Sequence, residues 1–338
     1  MYTEVMSGRK SVLPIIFLFS LALLLSCGGK SEGDAGTAEP GRMRIAVIPK
    51  GMTHEFWKAI HSGALEAARE LDVDIIWKGP QKEDDRSQQV MVVEDFTNRG
   101  VDGIVLAPLD DRALVRPVRD AARQGIPVVV IDSGLQGEDH VSFVATDNFK
   151  GGVLAARRLG GLLGGRGDIF LLRYQVGSAS TTERERGFLE TVRKEFPDLR
   201  LLVQDQYAGA TTESAYQLAE NLLNRFPGVQ GIFAPNESST FGTLRALQDS
   251  GRAGQVLFVG FDSSAKLVQG LRDGHLHGLV LQNPMKMGYL GVMTLVAHLR
   301  GEPVDPLIDT GVFLATPNNM DDPEIVKLLN PGLSGLDR

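Results

Sequence analysis

Residues 46–58 read AVIPKGMTHEFWK, a short apolar run followed by a lysine, a histidine, a glutamate and two adjacent aromatics. Three kinds of chemistry compete for such a stretch: a metal site, a piece of core, or a surface that holds a ligand. Spacing argues against the metal. Two histidines that grip one zinc ion from a helix stand at i and i+4, whereas His54 and His61 are seven apart and the chain has a single cysteine. Neither a metal nor a cofactor is expected. Phe56 and Trp57 diverge by about 100° on a helix, so both cannot sit in one narrow buried stripe. One faces the core and the other a crevice, or both lie along the first turn.

Those residues need a scaffold, and the rest of the chain supplies a regular one. Strand-like runs at 43–49, 73–77, 101–108 and 126–132 alternate with helical patterns near 55–71, 84–99 and 111–124. After a pause at 140–148 the alternation resumes, with helices near 148–163, 182–195, 211–225 and 238–250. The strands between and after them fall at 167–173, 199–207, 229–236, 256–262 and 276–283, and a long helix runs on to Arg300. Strand and helix alternating at this spacing predict parallel pairing with right-handed crossovers. Two successive series predict an α/β protein of two doubly wound, Rossmann-like lobes. In such sheets a ligand crevice lies outside the carboxyl ends of the strands. The polar residues placed there are Lys50, Asp132, Asn236, Asp262 and Gln282.

Other motifs carry less. GGLLGGRG at 160–167 is glycine-rich but follows a helix, the wrong context for a dinucleotide fingerprint, and reads as a helix-ending turn. GSAST at 177–181 lacks the second glycine of a nucleophile elbow, and no catalytic triad can be assigned from spacing. A net charge of −7 without a long basic run excludes nucleic acid as a natural partner. An aromatic face does suit the C–H side of a sugar ring, with charged and amide groups around the hydroxyls.

The N-terminus sets the compartment. Arg9 and Lys10 precede an apolar stretch, Leu13 to Leu25, too short for a membrane span of ~20 residues but suited to a secretory signal over 1–26. Cys27 follows LLS and resembles the lipobox cysteine of bacterial lipoproteins, which implies its lipidation. Residues 27–42 are small and polar and read as a flexible tether.

With these pieces in view the chain resembles the periplasmic sugar-binding proteins of ABC transporters, of the ribose-binding type. The resemblance runs from about Met43 to Leu314 through EFWKAIHSGALEAA, VVVIDSG, VATDNFKGG, ERERGF, VQGIFAPNE, LRALQDSG, VGFDSS and VLQNPMKMG. It implies a type I periplasmic binding fold with a three-segment hinge, one lobe at 43–146 plus 283–312 and the other at 147–282 plus 313–338. It places Phe56 and Trp57 at the ring-stacking aromatics, Asp132 at a carboxylate for hydroxyls, Arg184 at a donor, and Asn236, Asp262 and Gln282 at amide and carboxylate contacts. Glu183 and Arg186 leave the register of the arginine open by a residue or two. His54 stands where ribose binders have asparagine, Ser133 where they have arginine, and Ala210 near an expected aromatic. IPKG and WKGP are similar to members that bind autoinducer-2 or rhizopine-like polyols, where a lysine at the position of Lys50 contacts the ligand; Lys50 as a solvated strand-end charge is the other reading.

The resemblance implies a monomeric, membrane-tethered receptor of the periplasm or cell envelope, without enzymatic activity. It would deliver a small sugar or polyol to an ABC permease. A sensor presenting its ligand to a receptor kinase or chemoreceptor is the alternative, and a secreted glycosidase using Asp132 and Asp262 a more distant one.

Overall fold

The computed structural model describes residues 41–332. The expected export signal, the expected lipidation site Cys27, the expected tether up to residue 40 and the last six residues lie outside the described residues.

The first half of the chain builds β1 (Arg44–Ile48), α1 (Glu55–Leu71), β2 (Asp74–Trp77), α2 (Arg86–Arg99), β3 (Gly103–Leu106), α3 (Val115–Arg123), β4 (Val128–Ile131) and β5 (Ser142–Ala145). The second half repeats the plan with α4 (Asn148–Leu162), β6 (Arg166–Leu171), α5 (Ala179–Glu195), β7 (Asp198–Val203), α6 (Thr212–Arg225), β8 (Gly231–Phe233), α7 (Glu237–Asp249), β9 (Leu257–Phe261), α8 (Ala265–Arg272) and β10 (Gly278–Leu281). There follow α9 (Pro284–Leu299), β11 (Leu307–Asp309), β12 (Phe313–Ala315) and α10 (Pro323–Leu329). Among the described residues these strands form two six-stranded sheets, ordered β11-β5-β4-β3-β1-β2 and β12-β10-β9-β8-β6-β7. Each half is thus wound 2-1-3-4-5, the doubly wound order whose switch point lies beside the first strand. The predicted α/β class with two doubly wound sheets is the observed one.

All pairings within the repeated halves are parallel; β12 joins β10 antiparallel and β11 joins β5 parallel. The chain passes between the sheets after β5, after β10 and between β11 and β12. Parallel strands covered on both faces read as unbroken apolar runs, and β3, β4 and β10 are buried at every position. Each sheet carries an apolar layer on either face. In the first, α1 and α9 cover one side and α2 and α3 the other; in the second, α4 and α5 oppose α6, α7 and α8.

The helix pairs α1–α9 and α4–α5 cross at glycines. A Cβ on Gly63 or Gly288 would collide with the backbone carbonyl of Met285 or Ile60, and one on Gly152 or Gly187 with that of Arg184 or Phe149. Backbones come this close only where no side chain intervenes. The Gly152 contact seats the turn of α5 that carries Arg184.

Two helix starts differ from the sequence pattern, and short elements are added to it. α3 starts at Val115 instead of near 111, because Asp110 Oδ1 accepts from the backbone N–H of Arg112 and Ala113 at 2.9 and 2.8 Å and holds a turn there. α5 starts at Ala179, three residues early, which brings the GSAST stretch into its first turn. β11, β12 and α10 are additions; the two strands have three residues each, too few for a period to show.

Candidate functional site

The strand ends of the two sheets face one cavity of about 30 Å³. All nine residues singled out from the sequence line it: Lys50, His54, Phe56, Trp57, Asp132, Arg184, Asn236, Asp262 and Gln282. Glu83, Tyr174, Ser180, Thr181 and Glu237 complete the wall. The first sheet's loops and α1 supply Lys50, the α1 residues, Glu83 and Asp132; the second half supplies the rest.

Two aspartates anchor the arrangement. Asp132 follows β4 and Asp262 follows β9, equivalent strands, and each takes left-handed backbone with φ of 61° and 70°. Aspartate tolerates this conformation better than most side chains, at a small cost that is typically retained where geometry matters. Each backbone N–H closes onto the neighbouring strand, at Val144 O and Val280 O.

Around Asp132 the compensation is ionic. Lys50 is 3% exposed, its Nζ 2.8 Å from Asp132 Oδ2, and it donates to Ser180 Oγ at 3.1 Å. Of its two readings the solvated charge is overturned: the strand end is roofed by the first turn of α5. Ser133, in the place of the arginine of ribose binders, accepts from the Ser180 N–H at 3.1 Å.

Around Asp262 the compensation is mainly dipolar. Its oxygens accept from Gln282 Nε2 at 2.6 Å and from the Glu237 N–H at 2.9 Å, while Arg184 Nη1 stands 3.9 Å away. Burial pushes the Asp262 carboxyl up, against the pull of Arg184 and these hydrogen bonds. Gln282 Oε1 is buried and has no hydrogen-bond partner among the described residues. An acceptor left so is costly, and a ligand hydroxyl would satisfy it.

Of Glu183, Arg184 and Arg186 only Arg184 lines the cavity, 2% exposed, whereas Glu183 is half-buried, Arg186 exposed, and the two are paired with each other. Arg184 donates from Nε to Asn148 Oδ1 (2.8 Å) and from Nη1 to the Pro235 carbonyl (2.9 Å), and its guanidinium lies 3.9 Å from the Phe261 ring centroid. Asn236 is also an N-cap: its Oδ1 accepts from Ser239, and its Nδ2 donates to Ser238 Oγ at 3.0 Å.

Phe56 and Trp57 pack edge to face, centroids 4.9 Å apart, both buried. They belong to the core and to the cavity wall together, so the two sequence readings describe two faces of one pair. His54 Nδ1 lies 2.5 Å from Glu83 Oε1, which also accepts from Trp57 Nε1 at 2.6 Å; Glu83 Oε2 accepts from the Tyr174 hydroxyl. Burial alone would raise the Glu83 carboxyl, but the hydrogen bonds and the imidazolium hold it down to about 2. Burial alone would lower His54, and Glu83 outweighs it, raising the imidazole to about 9.

Two carboxylates are exchanged across the cavity mouth. Glu237, at the start of α7, accepts from the N–H of Phe56 at 3.1 Å and of Glu55 at 3.4 Å; Glu55 Oε2 accepts from the Ala265 N–H at 3.3 Å, the start of α8. Each satisfies free N–H groups at a helix N-terminus belonging to the other half. Burial raises Glu237 to about 7 against the attraction of His54.

Five wall residues were not singled out from the sequence. Glu83 sits in the charged loop KEDDR, Tyr174 three residues past β6, and Glu237 looks like an ordinary first-turn acid. Ser180 and Thr181 belong to GSAST, whose only sequence signal is an incomplete nucleophile elbow. One signal existed: a buried Trp57 indole N–H needs an acceptor. Among the described residues no group of three or more histidine, cysteine, aspartate or glutamate side chains could hold a metal ion. Nor is any described helix long and apolar enough to cross a membrane.

Residues 45–303 match the model of the periplasmic binding protein domain. The ribose import binding protein RbsB of Bacillus subtilis is 29% identical over 317 residues, 91% of this chain and 99% of that protein. A carbohydrate transporter solute binding protein from Agrobacterium radiobacter, solved with D-arabinose, superposes with a TM-score of 0.84 at 32% identity, covering 86% of this chain and 100% of that one. An ABC transporter solute binding protein from Agrobacterium vitis with bound D-fucose gives 0.81 at 35% identity, over 85% of this chain and 99% of its own.

Proposed function

Because the chain belongs to the periplasmic binding protein family, with sugar-transport relatives along nearly its whole folded length, we propose that it captures a small sugar or polyol between its two halves and delivers it to an ABC permease. One observation carries the reading: a single cavity draws aromatics, carboxylates, an arginine and amides from both sheets. The aromatic pair offers a face to ring C–H groups, Asp132 and Asp262 accept from hydroxyls, Arg184 and Lys50 donate, and Gln282 Oε1 awaits a donor. Hydrogen bonds to charged groups are worth about 1.5–3 kcal/mol each, so a few fix both affinity and selectivity.

The cavity in this closed arrangement holds one or two water molecules, not a sugar ring. Entry therefore needs the strand ends to part. We take the chain passages near 146, 283 and 311 as the hinge, with lobes at 43–146 plus 283–312 and 147–282 plus 313–338. Cys27 is the lipid anchor and the tether up to 42 the leash, in the periplasm or cell envelope, and the receptor acts as a monomer. The reading is of a receptor and not a glycosidase, supported by the transport proteins among its relatives.

Calorimetry of the purified protein with D-ribose, D-arabinose and D-fucose tests this. Saturable binding of at least one, with the sugar recovered unaltered, is the expected result. Absence of heat and of any thermal shift across pentoses, hexoses, inositols and autoinducer-2 would refute it.

A further inference from the structure

Glu83 lies on the loop between β2 and α2 and lines the cavity, and ligand capture by the strand-end residues assigns it no part. Yet its side chain is buried and engaged on three sides, by His54, Trp57 and Tyr174. Its backbone is held as well, the carbonyl accepting from Gln175 Nε2 at 2.8 Å. Beyond this cluster lies a second space of about 290 Å³, lined among others by Gln81, Lys82 and Ala210. It shares two lining residues with the inner cavity, His54 and Glu83. The alanine at 210 puts no bulk in that outer space.

Resting on the sugar-receptor reading, we propose that Glu83 is a positioning and specificity-determining residue: with His54 it forms the wall between the inner cavity and the outer groove, and it fixes Trp57 on the inner side of that wall. The site then takes a single free ring and turns away a ring whose substituent points into the groove. Moving the wall would break a buried imidazolium–carboxylate pair and strand the donors of Trp57 and Tyr174. Each stranded donor costs roughly tenfold in affinity. The Tyr174 bond comes from the second half, so the wall is complete only when the two halves meet.

The test uses the full chain carrying Trp77→Phe, which leaves Trp57 as the remaining indole of the two in the sequence. Acrylamide quenching of Trp57 fluorescence, without ligand, is expected to be weak in this background and in Glu83→Gln, which keeps the shape of the wall. In Glu83→Ala the protection is lost. Titration with D-arabinose and with its methyl pyranoside gives the second readout. The background should prefer the free sugar, and Glu83→Ala should narrow that preference by roughly tenfold or more. A folded Glu83→Ala protein quenched no better than the background overturns the proposal. So does a background protein that binds the glycoside as tightly as the free sugar, whatever the variants do. If no free sugar binds at all, the receptor reading fails, and the quenching comparison still decides the wall.

Discussion

The two halves of the molecule place an aspartate at the same point of the same winding, in the same left-handed backbone, and then treat it differently. Asp132 is neutralised by a buried lysine at 2.8 Å; Asp262 is solvated by an amide, a helix N-terminus and an arginine at 3.9 Å. The winding fixes where a carboxylate stands. What compensates its charge comes from different stations of that winding, the end of β1 in one half and the end of β10 with the start of α7 in the other, and there the halves diverge.

That contrast predicts unequal costs. Asp132→Ala strands a buried lysine and should destabilise the protein by about 3–5 kcal/mol in urea titrations, with Lys50→Met plus Asp132→Leu recovering most of the loss. Asp262→Ala strands one amide and one backbone donor but leaves Arg184, 3.9 Å away, its bonds to Asn148 and Pro235, and should cost only about 1–3 kcal/mol. Both should abolish sugar binding while the fold stays cooperative. Equal losses of stability would erase the distinction drawn here.

Glu83→Gln sharpens the same contrast, because His54 and Glu83 form a second ion pair in the first half. Seen from His54, raised from 6.5 to about 9, its contribution is complete below pH 6.5 and fades toward 9. Seen from Glu83, lowered from 4.5 to about 2, it is complete above pH 4.5 and fades as pH falls toward 2. The two ends report one interaction. The stability difference between wild type and Glu83→Gln should therefore peak at about 1.5–3 kcal/mol between pH 4.5 and 6.5 and shrink on either side. A difference independent of pH would show that the pair is not ionised.

Glu237, on the second half, runs the other way. Its carboxyl is raised from 4.5 to about 7, so the folded protein holds a proton that the unfolded chain has released, and stability declines as pH rises across that interval. Glu237→Gln should flatten the decline and, near pH 8, exceed wild type by about 1 kcal/mol. Parallel pH profiles for the two proteins would contradict it.

Most of this was legible because strand ends are legible. Unbroken apolar runs such as VVVI and LFVGF fix where a buried parallel strand stops, and the next polar residue has nowhere to face but the crevice. Arg184 needed tertiary information, since a helix carrying Glu183, Arg184 and Arg186 does not reveal which charge is inward; the crossing at Gly152 settles it. Glu83 and Tyr174 lie in loops whose path depends on the opposite half, and no local period records that. The edge strands β11 and β12 were invisible for a related reason: three residues, most of them partly exposed, carry too little pattern.

The trade of acidic side chains between Glu55 and Glu237 has a consequence for how tightly the jaws hold when nothing is inside. Parting them frees two carboxylates and a few amide hydrogens, all of which water rehydrates at once, so this contact changes partners with little net gain or loss. A clasp built of replaceable bonds adds little to the hold that the other contacts between the halves already give the shut form, and so leaves the guest room to tip the balance through the difference in its grip on the two forms.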